Sequence, residues 1–88
     1  MDSHGKGREK ERESMRRYED LGCVCWQPPR GKYGKQDIFG VGDFLVVAGP
    51  EVFMVQVCAL KSVARHRKAV HAWNEVHGDA LRCDLEAY

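Results

Sequence analysis

Apolar and polar positions alternate along this chain in a way that marks out six segments. The longest apolar run, Val52 to Leu60, is broken only by Gln56, and a shorter one, Phe44 to Val47, precedes it across Ala48-Gly49-Pro50-Glu51. Two such runs on either side of a Gly-Pro turn predict a β-hairpin. An arm that is apolar at nearly every position belongs to a central strand covered on both faces. With the turn centred on Gly49-Pro50, Ala48 faces Glu51, and counting back along the arms sets Asp43 opposite Gln56. Their side chains then share one face, with Cβ atoms roughly 4.5–5.5 Å apart. An unsatisfied amide inside a covered strand costs roughly 1–3 kcal/mol, so Gln56 needs a partner.

The flanking segments follow the helical period. Lys6 to Leu21 is rich in strong helix formers, and Met15, Tyr18 and Leu21 form its narrow docking face. Glu11 lies one turn before Met15 on the same stripe, so it is the acidic residue of this helix that aims inward. Residues 1–5 read as a disordered start and 6–88 as one domain. Gly22 ends the helix, Cys23 to Trp26 begins a strand, and Pro28 and Pro29 stop it. Ser62 is a candidate N-cap for a second helix reaching about His77, with Gly78 as terminator and Val63, Val70, Trp73 and Val76 facing inward. Residues 80–88 are apolar at alternate positions, the signature of a half-buried edge strand. The order is α-β-β-β-α-β, an α/β (α+β) domain.

Charge enters as a distribution rather than a total. The 14 basic and 13 acidic residues nearly cancel, but Arg30, Lys32 and Lys35 crowd the segment before the hairpin, and Lys61, Arg65, Arg67 and Lys68 the one after it. The segment 30–41 is rich in glycine and lysine with Tyr33 and Phe39 interleaved, a composition suited to a nucleic-acid backbone and an exposed base. No apolar run approaches the roughly 18 residues that cross a bilayer, and the charged start is unlike a secretory segment, so a cytoplasmic protein without a membrane partner is expected. The four cysteines sit in strand-like runs and are expected as free thiols. Zinc is disfavoured by the absence of a Cys-x-x-Cys pair and by the five-residue separation of His66 and His71.

One set of oxygen donors remains. Glu11, Asp43 and Gln56, with the Val57 carbonyl as a possible fourth, suit a hard cation such as Mg2+ or Mn2+. A structural Asp–Gln hydrogen bond is the alternative for Asp43 and Gln56.

This pattern resembles the PD-(D/E)XK nuclease superfamily, and within it the archaeal and phage Holliday-junction resolvases. Two segments carry the likeness: Lys6-Gly7 followed by Glu11-Arg12-Glu13 and a terminating Gly22, and Asp43 standing thirteen residues before Gln56. The resemblance implies a restriction-endonuclease-like core, with a central mixed sheet flanked by helices. It also implies a metal-dependent endonuclease acting as a homodimer on branched or structured DNA, encoded by a phage or mobile element. Glu11, Asp43 and Gln56 take the places of the metal-site residues, and Arg30, Lys32, Lys35, Arg65 and Lys68 meet DNA phosphates. Two departures stand out. Gln56 replaces the usual Glu, and Cys58 occupies the position of the Lys that polarises the attacking water. Lys61, three residues on, is the expected substitute, and Asp37 is a further acidic candidate. If nothing replaces that Lys, the chain is a catalytically inactive DNA-binding or protein-interaction module on the same fold.

Overall fold

The computed structural model describes residues 3–29, 31 and 36–88. Helix α1 (Ser3–Asp20) leads into β1 (Val24–Trp26), then the hairpin of β2 (Phe44–Ala48) and β3 (Glu51–Cys58). A 3-10 turn (Leu60–Ser62), helix α2 (Val63–His77) and β4 (Arg82–Ala87) complete the order expected from the sequence. The four strands lie in the order β1-β2-β3-β4. β1 and β3 each run antiparallel to β2, whereas β4, returned by the α2 crossover, is parallel to β3. The domain is therefore α+β with a mixed four-stranded sheet. Among the described residues no helix is long and apolar enough to cross a membrane.

The hairpin takes the expected register, from Ala48↔Glu51 at the turn to Phe44↔Val55 at the open end. Gly49 sits at φ 62°, a left-handed conformation that glycine adopts without a Cβ penalty. Side chains alternate between the two faces and build two clusters. On the α1 face, Phe44, Val46, Phe53 and Val55 pack with Met15, Tyr18, Cys23 and Cys25. The Tyr18 ring meets Phe53 and Phe44 edge to face, with centroids 5.7 and 6.2 Å apart. On the α2 face, Val41, Met54, Val70 and Cys83 are buried with Trp73, Leu45 and Leu85 against them. β3 is thus the central strand, covered on both sides.

Several local expectations need correction. α1 begins at Ser3 rather than Lys6. Leu21 is 80% exposed, because it falls in the turn that ends the helix instead of on the docking face. That turn is a Schellman motif: Cys23 N–H donates to Tyr18 O and Gly22 N–H to Glu19 O, with Gly22 at φ 91°. Val76 is 75% exposed, since the sheet side of α2 carries Val70, Trp73 and Asn74, and a residue two beyond Asn74 points about 200° away from it. Ser62 makes no side-chain cap; its hydroxyl donates to Ala59 O (3.2 Å) inside the 3-10 turn that feeds the helix. β3 ends at Cys58 rather than Leu60, because Leu60 N–H turns to Tyr88 O (2.8 Å).

One close approach fixes the floor of the α2 face. A Cβ on Gly42 would lie 2.8 Å from Met54 Sδ and 2.9 Å from Met54 Cβ. Gly42→Ala is therefore expected to destabilise the domain by about 1–3 kcal/mol through overpacking, read as a lower urea midpoint at unchanged m-value.

Candidate functional site

The polar residues of interest gather where the hairpin opens. Residues 38–42 form a tight turn, with Ile38 N–H donating to Gly42 O (2.7 Å) and Gly42 N–H to Ile38 O (3.0 Å). Phe39 lies in this turn at φ 53°, an uncommon conformation for a bulky side chain, and its ring stacks on Trp73 at 5.3 Å. Trp73 is itself fixed by its indole N–H on Leu81 O (2.7 Å). The turn is thereby clamped to α2, which sets the Val41 carbonyl over the sheet.

Gln56 donates from Nε2 to that carbonyl at 2.6 Å. Asp43 accepts the Val57 N–H on Oδ2 at 2.7 Å, while its own N–H donates to Val55 O (2.7 Å). Asp43 and Gln56 are 4% and 7% exposed, so both are buried polar groups held by hydrogen bonds, as burial demands. The structure brings Asp43 together with the Gln56-Val57 segment. The carboxylate accepts from the Val57 N–H and the amide donates to Val41 O, and neither of these bonds is the Asp–Gln bond considered from the sequence.

Glu11 is placed differently. It is half-buried on α1, where it accepts Gln27 Nε2 at 2.9 Å, and with Arg8, Arg12 and Gln27 it borders a pocket of about 70 Å³. Strand alternation puts Gln56 on the α2 face with Met54 and Cys58, so Glu11 and Gln56 belong to opposite sides of the sheet. Lys61 lies exposed in the 3-10 turn, Arg65 and Lys68 are exposed on α2, and Asp37 is exposed before the tight turn. Arg30, Lys32 and Lys35 lie outside the described residues.

The donor chemistry fits a hard cation in part. A carboxylate and an amide lie on one face of the hairpin just before β2, and magnesium commonly takes one or two protein carboxylates and completes its shell with water and phosphate oxygens. Among the described residues no group of three or more His, Cys, Asp or Glu side chains is arranged to hold a metal ion. Sulfur adds little. Cys58 is 4% exposed, and burial first, then the Asp43 charge, push its thiol up against an opposing effect from Arg67. Arg67, named in the sequence only as one of four basic residues after the hairpin, stands seven residues before Asn74 and so shares the helix face that the structure turns toward the sheet. On the α1 side, buried Ser14 donates to Glu86, which Arg17 Nη2 also reaches at 3.1 Å, strapping α1 to β4.

Comparison with family models, with characterised proteins and with solved structures returns no match to this chain.

Two outcomes follow from this geometry. Asp43→Ala strands the Val57 N–H and is expected to cost about 1–3 kcal/mol in urea unfolding, with Asp43→Asn retaining part of that through its amide oxygen. Burial, with Asp84 and Asp43 adding to it, pushes the Cys83 thiol up to about 12. The folded state then keeps a proton that the unfolded thiol releases, so stability is full below the ordinary thiol value, about 8.5, and falls from there toward pH 12. Cys83→Ala should make that alkaline decline shallower in a series of melts from pH 7 to 11, the remainder coming from Cys25, Cys58 and Tyr18, which burial also pushes up.

Proposed function

We propose that this chain is a metal-dependent endonuclease of the restriction-endonuclease-like type, acting as a homodimer on branched or structured DNA. One observation carries the reading. Asp43, buried at the open end of the central hairpin, sits against the Gln56-Val57 segment thirteen residues on, in a domain whose order is α-β-β-β-α-β and whose last strand is parallel to the central one. That is the arrangement the resolvase-like motifs of the sequence imply.

Bound at this point, Mg2+ or Mn2+ would polarise the phosphodiester and activate water. The chain's own residues do the rest. Asp43 supplies a carboxylate fixed by Val57 N–H, and Gln56 an amide fixed by Val41, so both are oriented before any ligand arrives. Glu11 stands on the other side of the sheet, where it accepts a hydrogen bond from Gln27. Arg65 and Lys68 on α2, with Arg30, Lys32 and Lys35 in the basic segment, meet the phosphates of the DNA arms.

A second reading rests on Cys58. The position that carries the lysine in such nucleases here holds a buried thiol, which favours a relative that binds junctions without cutting them. The assay separates the two. Magnesium-dependent cleavage of a four-way DNA junction is expected from the wild type, reduced at least about a hundredfold in Asp43→Ala. Undiminished cleavage in that variant overturns the site. Salt-sensitive junction binding with no nicking in either protein selects the binding module.

A further inference from the structure

A phosphoryl-transfer site needs a cation aimed at the charge that builds on the phosphate, and Cys58 supplies none. The packing of α2 along the sheet locates another source. Asn74 marks one level of the helix, because its side chain exchanges two 2.9 Å hydrogen bonds with the backbone of Cys83. The Leu60 N–H bond to Tyr88 O marks the other end of the crossover. A helix rises about 1.5 Å per residue and a strand about 3.3 Å, so the stretch from Asn74 back to Arg67 spans roughly 10 Å, or about three strand residues. Arg67 therefore stands level with Glu86, and through the register Val57↔Glu86, with Val57 on β3. Asp43 holds its carboxylate at the same level, on the Val57 N–H.

The direction agrees with the level. Arg67 leaves the helix within about 20° of Asn74, toward the sheet, whereas Arg65 and Lys68 leave it about 180° and 120° away. Arg67 is also exposed, so its head is open to a ligand, and the opposing charges of Arg67 and Asp43 both act on the Cys58 thiol. Lys61 lies past the last residue of β3, in the 3-10 turn.

We infer that Arg67 is the cation of this site, its guanidinium holding the non-bridging oxygens of the scissile phosphate beside Asp43 and Gln56 in place of a lysine at position 58. The inference rests on the nuclease reading above and names the residue that completes it. A guanidinium stays protonated and cannot act as a base, so Arg67 binds and neutralises the phosphate and leaves deprotonation of water to other groups. Its fork suits two phosphate oxygens at once.

The test compares wild type, Arg67→Gln, Lys61→Gln, Cys58→Lys and the Cys58→Lys/Arg67→Gln pair, each checked by thermal melting. Arg67→Gln should lower magnesium-dependent cleavage of a four-way junction about 10²–10³-fold. Lys61→Gln should change it less than about threefold, and Cys58→Lys should restore the Arg67→Gln variant to within about tenfold of wild type. With the metal chelated, Arg67→Gln should also lower the slope of log affinity against log salt by about one, the signature of one lost phosphate contact. An unchanged slope, or a cleavage loss in Lys61→Gln instead, overturns the assignment while leaving the nuclease reading in place. So does a wild type that is inactive beside an active Cys58→Lys, since Arg67 would then not stand in for the lysine. If neither wild type nor Cys58→Lys cuts, the nuclease reading falls and takes this assignment with it.

Discussion

The bond from Val57 N–H to the Asp43 carboxylate fastens the open end of the central hairpin, and the placement of every polar group near it depends on that fastening. A strand covered on both faces cannot slip by one residue without exchanging its two sets of side chains. Here a slip would push Gln56 toward Tyr18 and Met15 and turn Phe53 and Val55 toward α2. At the far end, the Gly49 turn pins the register by backbone geometry. At the near end, where no turn exists, a buried carboxylate does it by electrostatics. The bond also offsets part of the cost of a carboxylate only 4% exposed, because a charged acceptor on a backbone donor is among the stronger hydrogen bonds.

The two faces of the sheet are built on different principles. The α1 face is closed at its centre by aromatic packing around Tyr18, and its polar groups, Ser14, Arg17 and Glu86, join α1 to β4 at its margin. The α2 face carries Gln56, Asp43, Asn74 and the thiols of Cys58 and Cys83, interleaved with Met54 and Val70. Among the described residues no buried side-chain nitrogen or oxygen lacks a partner. Such a face costs less hydrophobic stabilisation than it appears to, since each polar group is satisfied by backbone from a neighbouring element: Val41 for Gln56, Val57 for Asp43, Cys83 for Asn74. The same bonds lock the 38–42 turn and α2 to the sheet, so the site is preorganised by the interactions that stabilise the fold.

Much of this was legible in the residues. The element order, the hairpin register and the central place of β3 follow from an apolar run with one polar exception and a Gly-Pro turn, features that are local and period-two. The bonds from Val57 N–H to Asp43 and from Gln56 to Val41 O were not legible, because register sets which residues lie opposite but not where a side chain bends. Leu21 and Val76 were misplaced for a related reason. Helical period counts angle, and it fails at a Schellman turn and on a helix whose sheet side is claimed by Asn74, a polar residue that periodicity assigns to solvent. Glu11 does share the inward stripe with Met15, as the period predicts, but inward for α1 means the α1 face, and no one-dimensional pattern tells on which side of a sheet a helix will land.

Position 58 shows what the fold and the chemistry each ask of one residue. The α2 face at that point is nearly closed to water, and a lysine there would have to be desolvated and paired, a cost of several kcal/mol before compensation. Asp43 is the group that could pair with it, yet its Oδ2 is already engaged with Val57. A thiol avoids this conflict: burial and the Asp43 charge both keep it protonated and neutral, and it packs as a small apolar group. A thiol at position 58 thus spares the interior a buried cation and leaves the mouth of the hairpin without a positive charge from that residue. On the proposed nuclease reading, the charge on the phosphate then has to be met by a residue that does not need burial, and Arg67, exposed on α2, is such a residue.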